Sequence, residues 1–208
     1  MCELWLCCII MIGIGVSGMY YLFVASKEID MEYYEEFLNT VIVDEFYFEA
    51  KSNTQGYIET ALPISEVLLS QFNLMNEDLG VSISFLGTPN LDVLSYHLVE
   101  TILSKKSSGY ISLADACTLA LINQDGFVKE KLVSYFDAVD KELLENIISF
   151  IQHGCNALAT SRDLYLHRNT MNYRLSRFSD ITGLDLRCSE HIQLIHLYSL
   201  LKENGTII

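Results

Sequence analysis

Asn156 to Leu186 reads NALATSRDLYLHRNTMNYRLSRFSDITGLDL, and its spacing decides how the chain ends. Asn156 is a good helix N-cap, because its side-chain oxygen can accept from an orphaned backbone N–H. Ala157, Thr160 or Ser161, and Leu164 then repeat at helical intervals. Their mostly small side chains let another helix cross closely. After Tyr165-Leu166-His167 a second helix starts near Asn169, with Met171, Leu175 and Phe178 on one stripe. Gly183 falls where a left-handed C-cap belongs. The pattern predicts two short helices around a tight turn.

The other face of the second helix carries the chemistry. At about 100° per residue, Asn169, Tyr173, Ser176 and Arg177 point away from the apolar stripe. Thr170 and Arg174 lie on its shoulder, and Arg168 stands at the helix start. Arginine forks onto guanine and asparagine pairs with adenine, so this row suits base edges and phosphate oxygens. Charge placement agrees. All five arginines (Arg162, Arg168, Arg174, Arg177 and Arg187) fall within residues 156–187, against three aspartates there, while the whole chain carries −14. Residues 1–155 hold seven lysines and 22 acidic residues. A cationic island on an anionic chain implies a local anionic partner and repulsion elsewhere. A solvated charged face is the plain alternative for any one helix; here residue types, spacing and charge point the same way.

From about Lys141 to Glu203 the chain resembles the C-terminal helix-turn-helix domain of PucR-type bacterial transcription regulators. The resemblance rests on the opening helix Leu143 to Ile151, on His153-Gly154-Cys155-Asn156, and on Ala159-Thr160 and Leu164. Its most specific part is His167-Arg168-Asn169-Thr170-Met171-Asn172-Tyr173-Arg174-Leu175-Ser176-Arg177, followed by Thr182-Gly183-Leu184-Asp185-Leu186. It implies a DNA-binding module whose second helix, about 169–181, enters the major groove. Cys155 departs from the pattern, which usually has a second glycine there.

Length and composition set the bounds. At 208 residues, half of them hydrophobic and only two proline, the chain can bury a real core in one or two small domains. Cys2, Cys7, Cys8, Cys117, Cys155 and Cys188 show no disulfide spacing and no secretory signal precedes them, so reduced thiols in a cytoplasm are expected. Leu4 to Ala25 has no charge, long enough for a membrane helix. Its flanks offer Lys27 alone among Glu3, Glu28 and Asp30, a poor match to the basic flank such a helix prefers. Met19 to Ala25 also reads as an aromatic strand, with residues 1–18 a leader outside the fold or a misassigned start. Both readings stand at this point.

An amphipathic helix is expected from Met31 to about Ile42. Glu45–Lys51 and Gln55–Ala61 alternate as a hairpin around Ser52-Asn53-Thr54. Pro63 opens a helix to about Met75, Gly80–Leu86 is a strand, and Asn90 or Leu91 to Leu103 a helix. Tyr110-Ile111 is a short strand and Leu113–Ile122 a helix. This order predicts an α+β fold: a mixed sheet with helices on one face, then an all-α helix-turn-helix module. Order and context resemble the degenerate nucleotide-cyclase-like domain of PucR-type regulators. The hairpin turn lacks the carboxylates an active cyclase needs, and Asp44, Glu45 and Glu49 read as solvated charges. The expected division is residues 19–122 as a sensor or dimerisation domain, 123–140 as a semi-rigid connector with a helix near Val128–Phe136, and 141–203 as the helix-turn-helix domain.

No catalytic motif stands out: no phosphate loop, nucleophile elbow or two-histidine zinc motif. His153 with Cys155 and Cys188 with His191 match zinc ligand types, but small cysteines also fill apolar holes. No cofactor or metal is expected. The reading is a sequence-specific, duplex-DNA-binding regulator. Asn169, Thr170, Asn172, Tyr173 and Arg177 face the groove, Arg168 opens the helix, and Arg162, Arg174 and Arg187 grip phosphates. Half-site geometry makes a homodimer the expectation, with an effector of unknown identity. The alternative is an interaction protein, membrane-tethered if residues 4–25 span a bilayer, whose basic helix docks an acidic partner.

Overall fold

Met19–Ala25 (β1) forms the middle of a five-stranded sheet. The computed structural model describes residues 18–61, 80–105 and 108–204. Along β1, Met19, Tyr21, Phe23 and Ala25 enter one buried cluster, while Leu22 enters the other with Tyr20 and Val24 packed on it. Side chains alternate along a strand, so a strand covered on both faces reads as an unbroken apolar run. That accounts for the last seven residues of the Leu4–Ala25 stretch. The strand reading holds there, and a single helix through Ala25 does not. The proposed leader lies outside the described residues apart from Gly18. Among the described residues, no helix is long and apolar enough to cross a membrane.

Phe46–Ser52 (β2) and Gln55–Thr60 (β3) make the expected hairpin. The sheet order is β2-β3-β1, then Ile83–Thr88 (β4) and Gly109–Ser112 (β5). All neighbours are antiparallel except β4 and β5. Gly56 lies opposite Phe23 in the ladder, and a Cβ there would come within 2.8 Å of the Phe23 ring. β4 starts three residues later than the alternation from Gly80 predicts. Near the hairpin, Glu49 is held rather than free: it pairs with Lys51 and accepts from the Tyr57 hydroxyl at 2.6 Å.

The expectation of helices on one face is corrected. Met31–Val41 (α1) covers one face with Tyr34 and Leu38 fully buried. Val93–Thr101 (α2) and Leu113–Ile122 (α3) cover the other. The cause is β1 itself, which offers apolar side chains in both directions. The helix expected from Pro63 lies outside the described residues.

Gly126–Asp137 (α4) occupies the stretch expected as a connector. Asp125 caps it, accepting from the N–H groups of Phe127 and Val128 and pairing with His97 Nε2 at 2.8 Å. Val128, Leu132 and Phe136 are completely buried. They belong to one cluster that runs from Leu22 and Leu86 in the sheet, through α2 and α3, to Met171, Phe178 and Tyr198 near the chain's end. The stretch is therefore an interior helix, and the helices after it share its core.

Candidate nucleic-acid interface

Lys141–Gln152 (α5) opens the terminal module, with Asp140 capping it through the Leu143 N–H. Leu143, Leu144, Ile147 and Phe150 are buried, whereas Ile148 and Ile151 are only half-buried, so the inward stripe runs through Leu143, Ile147 and Phe150. At its end Cys155 N–H reaches Phe150 O at 2.9 Å and Gly154 N–H reaches Ile151 O at 3.0 Å. These are the two bonds of a Schellman C-cap. Cys155 takes φ +59°, so the residue replacing the second glycine adopts a glycine-like backbone.

Asn156 then caps Ala157–Asp163 (α6), accepting from Leu158 and Ala159 at 3.1 Å, as its residue type predicts. Thr160 and Ser161 are buried, and the helix crosses closely over the next one. A second Schellman turn closes α6: Leu166 N–H to Ser161 O at 2.7 Å, with Tyr165 N–H to Arg162 O at 3.3 Å. Its left-handed position is filled by Tyr165, at φ +53° and 97% exposed. Turn propensity gives no sign of this residue, because glycine or asparagine is the usual occupant. Left-handed backbone costs an L-residue roughly 1–2 kcal/mol, and glycine adds about 0.4–1 kcal/mol of unfolded-state freedom. Tyr165→Gly should therefore stabilise the fold by up to ~1 kcal/mol. A thermal melt unchanged or lowered by the substitution would remove the strain argument.

His167 caps Arg168–Thr182 (α7) through Nδ1, which accepts from Asn169 N–H at 3.2 Å. Gly183, at φ +73°, ends it in the left-handed conformation expected. Met171, Phe178 and Thr182 are buried and Leu175 half-buried. On the opposite side Asn169, Thr170, Asn172, Tyr173, Ser176 and Arg177 are all exposed, as are Arg168 and, on α6, Arg162. The helix thus divides into a seated face and a free polar face with two guanidinium groups.

Two of the sequence-selected arginines are engaged inside the chain. Arg174 Nη2 donates to Glu142 on α5 at 2.6 Å, and its side chain is only 21% exposed. It stands three residues from Met171, so it leans toward the helix that seats α7. Arg187 folds back on Asp185 at 2.9 Å, and this guanidinium holds the Asp185 carboxyl below its usual range. Sequence spacing gives no sign of Glu142, which lies 32 residues from its partner.

Ser189–Asn204 (α8) closes the module, with Leu194, Ile195 and Tyr198 buried. Ile192 N–H bonds to Cys188 O, which puts Cys188 at the capping position. The residues weighed as zinc ligands have separate tasks. His153 Nδ1 bonds the Ser149 carbonyl at 2.7 Å, and buried His191 accepts from Asp185 N–H at 2.9 Å. Burial holds the His191 imidazole below its ordinary pKa.

Comparison with known proteins bears on this module. Residues 143–201 match the family model for the PucR C-terminal helix-turn-helix domain. A 44-residue stretch is 48% identical to the carbohydrate diacid regulator of Escherichia coli (strain K12), covering 21% of this chain and 11% of that protein. An alignment over 59 residues is 29% identical to the proline-responsive transcriptional activator PutR of Bacillus subtilis (strain 168), covering 26% of this chain and 14% of that protein. The match therefore spans less than a sixth of either relative. A crystal structure of a regulator of polyketide synthase expression from Bifidobacterium adolescentis aligns with a TM-score of 0.43 at 14% identity, over 93% of this chain and 83% of that one.

Proposed function

With residues 143–201 a PucR-type helix-turn-helix domain, we infer that the chain is a transcription regulator that binds duplex DNA and reads its sequence with α7. The observation that carries this reading is the division of α7. Met171, Phe178 and Thr182 seat it, while Asn169, Thr170, Asn172, Tyr173 and Arg177 stand together in solvent. Arg177 and the two asparagines are the side chains suited to base edges. Arg168 and Arg162 supply phosphate contacts, which position the module without reading sequence. Arg174 acts first as a strut to Glu142 and Arg187 as a partner of Asp185, so their hold on phosphate is the weaker part of the set. Helix-turn-helix modules read paired half-sites, and a homodimer meets that geometry. The sheet and its helices, residues 19–122, provide the sensing or pairing surface. The chain works by binding rather than catalysis.

Selection of bound fragments from random duplex DNA tests the reading. The full chain is the right material, because α8 buries its inner face against the cluster that includes α3 and α4. Enrichment of one motif, in two copies about one helical turn apart, is the expected result. Retention without enrichment reduces the module to a nonspecific polyanion binder. No retention at low salt, where counterion release most favours binding, would leave an acidic protein as the partner of the basic face.

A further inference from the structure

A crevice of about 810 Å³ lies between the end of the sheet and the last turn of α7. Its size falls within the ~300–1,000 Å³ typical of small-molecule sites. Tyr20 on β1, Asn90 after β4, Tyr135 on α4, and Asp180 and Thr182 on α7 line it. Three of these form a relay: Asn90 Nδ2 donates to the Tyr135 hydroxyl at 3.1 Å, which donates to the Thr182 carbonyl at 2.6 Å. One Asn90 N–H and the Tyr135 O–H are thus spent, while the Asn90 amide oxygen and the Asp180 carboxylate stand as acceptors. Asp180 is exposed and has no ion-pair partner among the described residues. The C-terminal end of α7 adds the negative end of its dipole. Tyr20 donates to Glu59 at 3.2 Å, which places a second carboxylate behind the wall. Tyr20 and Tyr135 bring two electron-rich rings. Among the described residues that line the crevice, none is cationic.

We propose that this crevice is a binding site for a small organic cation, carrying an ammonium or guanidinium group, and that its occupant adjusts the reading helix. The lining repels an anion, and a purely apolar molecule would leave its acceptors unanswered. A cation answers both the carboxylate and the helix end, and its charge can rest over a tyrosine face. Asp180 is one turn beyond Arg177 on the same helix, and the Tyr135 clasp on Thr182 ties that turn to α4. The adjustment of DNA affinity rests on the DNA-binding reading; the binding itself does not.

The test uses the full chain without DNA, at matched ionic strength, titrated by calorimetry with agmatine as the cationic probe. Arabitol supplies neutral donors and glutarate a dianion. Agmatine should bind in preference to both, and Asp180→Asn should weaken it about tenfold, the worth of one charge-assisted contact. Agmatine should then shift duplex affinity in the wild type and not in Asp180→Asn. Preference for arabitol or glutarate, no binding, or binding indifferent to Asp180→Asn overturns the site. Agmatine binding that leaves duplex affinity unchanged overturns its effect on the helix. Failure to select any duplex while agmatine still binds would count against the DNA reading alone.

Discussion

Arg177→Ala should weaken binding to the selected duplex by about 1–3 kcal/mol, roughly 5- to 150-fold, the cost of losing one base-reading arginine. The side chain is exposed and forms no ion pair among the described residues, so its guanidinium is free for a partner outside the chain. It follows Tyr173 by one helical turn and precedes buried Phe178, which fixes its direction relative to the seated face. Removal of such a surface group should leave stability within about 0.5 kcal/mol. Fluorescence anisotropy at several salt concentrations measures the effect. A base-reading role predicts loss of affinity together with relaxed preference at one position of the site. A phosphate-gripping role predicts a uniform loss across sequences and a shallower salt dependence, by about one unit of slope. Wild-type affinity and slope would take Arg177 out of the interface. Arg174→Ala provides the contrast, because that guanidinium is already bound to Glu142 and its loss should act more on how α7 is seated.

The terminal module was legible because its signals are local. Asn156 and Gly183 are cap residues by chemistry, and the Met171–Phe178 stripe needs only the helical period to be seen. The seating of Arg174 was not legible, since helical spacing places it on the shoulder without naming the carboxylate that waits there. Tyr165 was hidden for a related reason: its left-handed backbone is imposed by the crossing of α6 and α7, against its own preference. At the other end, β1 was ambiguous because a strand buried on both faces has the composition of a membrane segment. Only its pairing with β3 and β4 resolves Met19–Ala25. The hairpin beside it was clear from alternation alone. The stretch from Gln124 to Asp140 misled in a different way. The helix near Val128–Phe136 was legible from its spacing, but its place as an interior element rather than part of a semi-rigid connector was not. What burial it finds depends on α8, whose partner surface no local pattern reveals.

That burial leads to a large expected effect on stability. Phe136→Ala should cost about 3–5 kcal/mol, the usual loss for a fully buried aromatic truncated to a methyl group. Phe136 is wholly buried, with its ring 4.5 Å from that of Tyr198 and stacked at 6.5 Å on Phe178. It thus touches both the closing helix and the helix proposed to read DNA. Against a total stability of about 5–15 kcal/mol for an ordinary domain, such a loss removes a large share. Urea unfolding should show a markedly lower midpoint with the slope retained. The transition also tests the shared core. If the cluster from Leu22 to Tyr198 is one cooperative unit, sheet and terminal helices should unfold together in the wild type and together, earlier, in the variant. Separate transitions for the aromatic signal of the sheet and the helical signal would mean that the two parts hold themselves up independently. In that case Phe136→Ala should lower only the helical one. A midpoint unmoved by the substitution would contradict the burial itself, since no relaxation of neighbouring side chains refills the space of a phenyl ring without cost.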